Sequence, residues 1–140
     1  MGQAAEVDDI AVRGQRVRLT IPAKADYVGL SRLAIAALGA RSDLEREAVA
    51  DLKVAVSEAC AAFIPVARRS SPPGEIEILF DVFTDRWVVT VTGEQVFAEL
   101  GGVTETGDSL GLTIIGALVD EVESGPREGK WALTLVKHLP

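Results

Sequence analysis

The strongest constraint on the fold is a pair of alternating segments joined by a very short connection. Apolar residues occupy every second position of both, at Ile76, Ile78, Phe80 and Val82 and then at Trp87, Val89 and Val91. Because side chains alternate between the two faces of a strand, each segment presents one apolar and one polar face. Residues 84–86 are short enough to join the two as a hairpin. The chain is therefore predicted to build an antiparallel sheet with one face that other elements must cover.

Three more segments are predicted strands. Residues 16–21 alternate polar and apolar side chains and stop at Pro22. Residues 121–123 begin another strand, and residues 125–129 form a turn. The final strand has its apolar positions at Trp131, Leu133 and Leu135.

The first predicted helix follows the strand at residues 16–21. Asp26 is the expected N-cap and Gly39 the expected terminator. Apolar residues recur at helical spacing, and this stripe is Tyr27, Leu30, Ala34, Ala37 and Leu38.

The second helix opens with Ser42 and Glu45, which are three residues apart as in a capping box. Pro65 is expected to end or bend it. Its predicted buried stripe is Val49, Leu52, Val56, Ala59 and Phe63. A third, apolar helix is predicted over residues 112–118.

The order of elements is strand, helix, helix, hairpin, loop, helix, strand, strand. It predicts an α+β two-layer sandwich, with a mixed, mostly antiparallel sheet and helices on one face. We expect residues 1–14 to be a flexible tail and residues 15–140 to form a single domain. Residues 93–110 are predicted to be a loop, with a short helix near residues 96–100.

Composition excludes several classes of function. The 140-residue chain has a formal net charge of -7, which disfavours direct binding to nucleic acid. Its apolar runs are all shorter than the roughly 18 residues that span a membrane. Cys60 is the single cysteine, so no intrachain disulfide can form, and a cytoplasmic location is expected.

Three segments of the chain are informative about its family. The first is Ile21-Pro22-Ala23-Lys24-Ala25-Asp26-Tyr27-Val28-Gly29, which leads into helix one. The second is Asp51-Leu52-Lys53-Val54-Ala55-Val56-Ser57-Glu58-Ala59-Cys60 on helix two. The third comprises Leu110-Gly111-Leu112 and Asp120-Glu121-Val122, which bracket the last helix. Together they resemble the anti-sigma-factor serine kinases of bacterial stress and sporulation control, which have the GHKL, or Bergerat, ATPase fold.

The resemblance implies a regulator of transcription with two activities. Such a protein sequesters an alternative sigma factor, and it uses ATP and magnesium to phosphorylate a serine on an antagonist protein. The implied partners are therefore a sigma factor and an anti-anti-sigma antagonist, and the implied assembly is a homodimer. Neither nucleic acid nor a membrane is an expected partner.

Two positions of the implied ATP site depart from the family pattern. The family places a Glu and, four residues later, an Asn on one helix face, as general base and magnesium ligand respectively. Here Glu58 is present, but the Asn position is Ala62. The family's adenine-binding Asp aligns with Gly93, and the neighbouring Glu94 points to the opposite face of a strand.

A third motif of the implied site is a glycine-rich turn, whose backbone N–H groups bind phosphate at the start of the last helix. Its positions here are Gly107, Ser109, Leu110, Gly111 and Leu112, and Asp108 adds a negative charge among them. This is the most complete of the three motifs.

The two departures favour a regulator with weak or absent ATP binding and kinase activity. The alternatives are an active serine/threonine kinase with a variant pocket, or a GHKL-like domain recruited to an unrelated role. If the first interpretation holds, Ala62→Asn together with Gly93→Asp should raise the affinity for ATP. Residues outside these motifs have simpler interpretations: Cys60 as a packed thiol, His138 as a solvated end residue, and Trp87 and Trp131 as core or as interface anchors.

Overall fold

Five strands and three helices make up the described part of the chain. The computed structural model describes residues 15–42, 44–64, 74–94 and 110–139. In chain order the elements are β1 (Gln15–Pro22), α1 (Ala25–Ala40), α2 (Arg46–Ala61), β2 (Glu75–Val82), β3 (Arg86–Glu94), α3 (Leu110–Leu118), β4 (Glu121–Arg127) and β5 (Lys130–His138). The predicted tail, Pro65 and the predicted short helix at residues 96–100 lie outside the described residues.

The five strands form one sheet in the order β1-β2-β3-β5-β4, and all neighbours pair antiparallel. The predicted hairpin is confirmed, with Val82 opposite Trp87. The α+β two-layer class is also confirmed. The mixed character is corrected, because the described strands include no parallel pair: β3 and β4 run the same way, but β5 lies between them.

One face of the sheet carries the core. Register places Ile78 opposite Val91 and Val89 opposite Leu135, so the alternate apolar residues of three strands line up on one face. The helices cover this face with their own apolar side chains. Residues that are fully buried there include Leu52, Val56, Ile76, Ile78, Phe80, Trp87, Val89, Val91, Leu133 and Leu135.

Both predicted helix caps are wrong. Lys24 is the N-cap of α1, and Asp26 lies within the first turn. Glu45 is the N-cap of α2, so Ser42 cannot serve as the cap of that helix. The Ser42 hydroxyl instead donates a 3.1 Å hydrogen bond to the carbonyl of Leu38, at the end of α1. A short polar side chain at a helix junction can bond to either helix, and here it bonds to the first.

The apolar stripe of α1 only partly marks its buried face, because Ala34 and Leu38 are half-buried against the core. Tyr27 and Leu30 are exposed, whereas the buried residues of this helix are Val28, Ser31, Ile35 and Gly39. Because α1 has apolar residues on most of its circumference, periodicity alone does not select the buried face. Contact with α2 and with the sheet selects it. The predicted buried stripe of α2 is confirmed at four positions, since Leu52, Val56, Ala59 and Phe63 are all buried.

Two glycine-based expectations are corrected as well. Gly39 lies inside α1, where a Cβ atom would be 2.8 Å from Val49 Cγ2, so its role is close helix packing. The turn predicted at residues 125–129 is confined to Glu128 and Gly129, because β4 extends to Arg127. Both turn residues have positive φ, 53° and 82°. Gly93, predicted to begin a loop, belongs to β3.

Candidate functional site

Glu58 and Ala62 lie at the C-terminal end of α2. The helix ends at Ala61, and the Ala62 N–H donates a 3.1 Å hydrogen bond to the carbonyl of Glu58. This i, i+4 relation places both side chains on one side of the helix, as predicted. Both residues are half-buried. The site therefore has a carboxylate at position 58 and a methyl group one turn later.

Gly93 lies near the end of β3 and is buried. It pairs directly with Trp131 of β5, and both positions belong to the face of the sheet that the helices cover. The Phe63 ring lies against Gly93: a Cβ atom at position 93 would be 2.4 Å from Cδ1 of the ring and 2.7 Å from Cγ. Phe63 itself is 1% exposed.

The phosphate-loop positions are only partly described. Gly107 and Ser109 lie outside the described residues, and Leu110 is the first residue of α3. Gly111 and Leu112 are half-buried in the first turn of α3. This helix packs against α2, so the structure brings two of the three predicted motifs into neighbouring helices.

The residues present do not supply the ligand set that the resemblance implies for magnesium and ATP. Position 62 has no oxygen, and the described ranges contain no group of three or more His, Cys, Asp and Glu residues suited to a metal. At position 93 no carboxylate is present, and the place a side chain would take is covered by the Phe63 ring. The carboxylate of Glu58 is the one predicted catalytic group in this region.

The contact between Phe63 and Gly93 is only partly anticipated by the sequence. The sequence offers Phe63 and Phe97 as side chains that could fill the pocket, and Phe97 lies outside the described residues. A glycine within a strand often marks the close approach of another group. Which group approaches Gly93 depends on how α2 packs on the sheet, so the sequence alone does not pair Phe63 with Gly93.

Cys60 is buried beside this site and has a strongly shifted pKa. Burial raises the pKa of the thiol to about 12, and the nearby Arg32 opposes the shift. Arg32 itself donates a 2.8 Å hydrogen bond to the hydroxyl of Ser57, which joins α1 to α2. The expectation of a packed thiol is confirmed, because a thiol with so high a pKa stays protonated and unreactive.

The two tryptophans and His138 differ in their burial. Trp87 is fully buried, which confirms its core interpretation, whereas Trp131 is only half-buried. The indole N–H groups of both tryptophans are buried and have no hydrogen-bond partner among the described residues. His138 is exposed, and its Nε2 lies 3.0 Å from a carboxylate oxygen of Glu121.

The other face of the sheet has a polar concavity of about 410 Å³. Two ion pairs cross its strands: Arg16 Nε lies 2.6 Å from Asp81 Oδ1, and Arg18 Nε lies 3.3 Å from Glu77 Oε2. The hydrogen bond to Asp81 raises the pKa of Arg16 above its ordinary value. This concavity is separated from Glu58 by the sheet, so it is not part of the predicted ATP site.

Within the described ranges, no helix is both long enough and apolar enough to cross a bilayer.

Similar proteins identify the family. Residues 21–137 match the family described as the histidine kinase-like ATPase domain. The chain is 35% identical to the serine-protein kinase RsbW of Bacillus subtilis over 88% of this chain and 85% of that protein. It is 31% identical to the protein of the same name from Listeria innocua, over 93% of this chain and 91% of that protein.

A solved structure agrees at the level of the fold. The crystal structure of the RsbU and RsbW domains of Rv1364c from Mycobacterium tuberculosis superposes with a TM-score of 0.67 at 17% identity. The match covers 90% of this chain and 33% of that longer one. The sheet order, the helix layer and these matches agree with one another. The chain therefore belongs to the histidine kinase-like ATPase domain family and, within it, to the family of the RsbW serine-protein kinases.

Proposed function

We propose that this chain is an anti-sigma-factor-like regulator of a partner-switching system. It binds an alternative sigma factor, an anti-anti-sigma antagonist, or both, and its ATP binding and kinase activity are weak or absent. Membership in the RsbW family supports the regulatory role. The observation that carries the loss of activity is Ala62, one helical turn beyond Glu58.

A methyl group at position 62 changes what the site can hold. Magnesium prefers oxygen ligands, and alanine has none in its side chain. Phosphoryl transfer depends mainly on positioning and on stabilisation of the phosphate charge, to which bound magnesium contributes. Glu58 could still accept a proton from a hydroxyl, but a general base alone contributes only about 10²–10⁴-fold.

Titration calorimetry of the unmodified protein with magnesium and ATP tests the loss of binding. The expected result is no saturable heat at micromolar concentrations. Micromolar affinity would overturn the proposed loss of ATP binding, and phosphate transfer to the antagonist would establish the alternative, an active kinase with a variant pocket. In that case Glu58→Gln should abolish phosphate transfer to the antagonist, while Glu47→Gln, an exposed position on the same helix, should leave it unchanged.

The regulatory role is tested by binding, without nucleotide. Each alternative sigma factor and each antagonist protein of the source organism is co-expressed with this chain and purified through a tag on the partner. We expect a stoichiometric complex with at least one of them. If this chain co-purifies with none of these partners, the remaining alternative is favoured, which is a GHKL-like domain recruited to an unrelated role.

The proposal includes a homodimer in the cytoplasm. A cytoplasmic location is expected because sigma factors and their antagonists act there. Dimerisation is supported by the family and by the second face of the sheet, which the described helices do not cover. Sedimentation velocity should give twice the 14.8 kDa mass of one chain, and a monomer at all concentrations would exclude the dimer.

A further inference from the structure

The end of β3 nearest Glu58 holds an aromatic ring where a side chain would otherwise project. Gly93 is on the helix-covered face of the sheet, and the ring of Phe63 lies directly on it. Real Cβ atoms are not found as close as 2.4 Å to a ring carbon. A side chain at position 93 and the present position of the Phe63 ring therefore exclude each other.

The ring is held in place from two sides. On the helix side, the Phe63 N–H donates a 3.0 Å hydrogen bond to the carbonyl of Cys60, which continues the helical turn beyond α2. On the sheet side, Gly93 offers a flat backbone surface, and its cross-strand partner Trp131 lies on the same face. Phe63 and Gly93 thus pack directly against each other, and each position depends on the other.

We infer that the Phe63 ring itself fills the base end of the nucleotide site, the part that would bind adenine. The inference rests on the proposed function and on the family resemblance, which implies that position 93 lies at the base end of the site. The ring takes up volume that a base approaching position 93 from the helix layer would need. The packing between α2 and the sheet is then complete without a nucleotide, and partner binding does not depend on one.

A consequence follows for any attempt to restore the site. Gly93→Asp alone places a carboxylate against the ring, so it cannot create a working acceptor while Phe63 is present. The pair Ala62→Asn and Gly93→Asp, which the sequence alone suggests, is therefore insufficient. Removal of the Phe63 ring is the additional change that the structure requires.

A double-mutant cycle tests the steric part. Gly93→Ala should lower the thermal midpoint by about 4–12 °C in the unmodified protein, since overpacking is costly. In a Phe63→Ala background the same change should lower it by less than half as much. Gly116→Ala, where a Cβ atom meets no described residue within 4 Å, is the matched control and should show no coupling with position 63. Equal effects of Gly93→Ala in both backgrounds would overturn the inference.

Free adenine tests the occupant itself, because it probes the base end without phosphate or magnesium. Adenine should raise the thermal midpoint of the Phe63→Ala/Gly93→Asp variant by about 5 °C at ten times its Kd. It should not shift the thermal midpoint of the unmodified protein. Phe80→Ala/Gly93→Asp, which removes a different buried ring, should not respond. If Phe63→Ala does not fold, Phe63→Val replaces it in both the double-mutant cycle and the adenine experiment.

The outcomes separate this inference from the proposed function. If the unmodified protein binds neither ATP nor adenine, and removal of the ring adds no adenine response, the proposed function stands and the inference fails. If the unmodified protein binds ATP at micromolar concentrations, both fail. If no sigma factor or antagonist binds while the ring variants respond to adenine, the inference stands and the proposed function fails.

Discussion

Lys137 Nζ lies 3.4 Å from Asp51 Oδ2 and ties the last strand to the second helix. The same ammonium group donates a 2.9 Å hydrogen bond to the carbonyl of Leu118, the last residue of α3. A cation at this place also meets the negative end of the helix dipole. One half-buried side chain thus connects β5 with α2 and α3, the two helices that carry predicted site residues.

Replacing this ammonium group should be costly. Lys137→Met keeps the apolar stem but leaves Asp51 and the Leu118 carbonyl without their partner. We expect a loss of about 1–3 kcal/mol in the free energy of unfolding, measured in urea. Arg18→Met, which breaks the more exposed pair with Glu77, is the control and should lose no more than about 1 kcal/mol. Equal losses would show that the partial burial of Lys137 adds nothing.

Two glycines in helices should respond in opposite directions to alanine. Gly39→Ala places a methyl group against Val49 and should destabilise the protein by about 1–3 kcal/mol, despite the better helix propensity of alanine. Gly116→Ala in α3 adds a methyl group that meets no atom of the described residues, and it should stabilise the protein by about 0.5–1 kcal/mol. Denaturant unfolding measures both, and Val49→Ala should relieve the effect at position 39. If Gly39→Ala left the free energy of unfolding unchanged, α1 and α2 would have to move apart without cost.

The buried face of α1 can be tested with two residues of similar size. Ile35 is 0% exposed and Leu33 is 67% exposed. Ile35→Ala should cost about 2–5 kcal/mol of unfolding free energy, because it opens a cavity in the core. Leu33→Ala should cost well under 1 kcal/mol, since the side chain already lies largely in water. A reversed order would contradict the helix orientation described above.

Cys60 should make stability fall at high pH. Its pKa is about 12 in the folded protein and near the ordinary value of 9.0 in the unfolded chain, so the folded state favours the protonated thiol. This contribution is fully present below about pH 9 and is lost as the pH rises towards 12. Urea unfolding at pH 8 and pH 10 should show the decline, and Cys60→Ala should remove this part of it. At pH 8 the native thiol should also resist a thiol reagent that labels the urea-unfolded chain.

Sequence patterns alone determined the classes of most elements and the faces of the central strands. Alternation placed Phe80, Trp87 and Val89 on one face, because the period of a strand is two and a shift by one residue would expose them all. The run around Glu58 indicated the family. These conclusions depend on neighbours along the chain, and local geometry is sufficient to support them.

The tertiary structure decided the features that depend on which elements approach one another. The buried face of α1 could not be derived from a helix with apolar residues on most sides. Its stripe at helical spacing therefore includes the exposed Tyr27 and Leu30 as well as residues that pack on the core. Gly93 was identified in the sequence as a lost Asp, but its contact with Phe63 exists only because the end of α2 packs on the end of β3. Residues 30 positions apart meet through packing, and no local period encodes that contact.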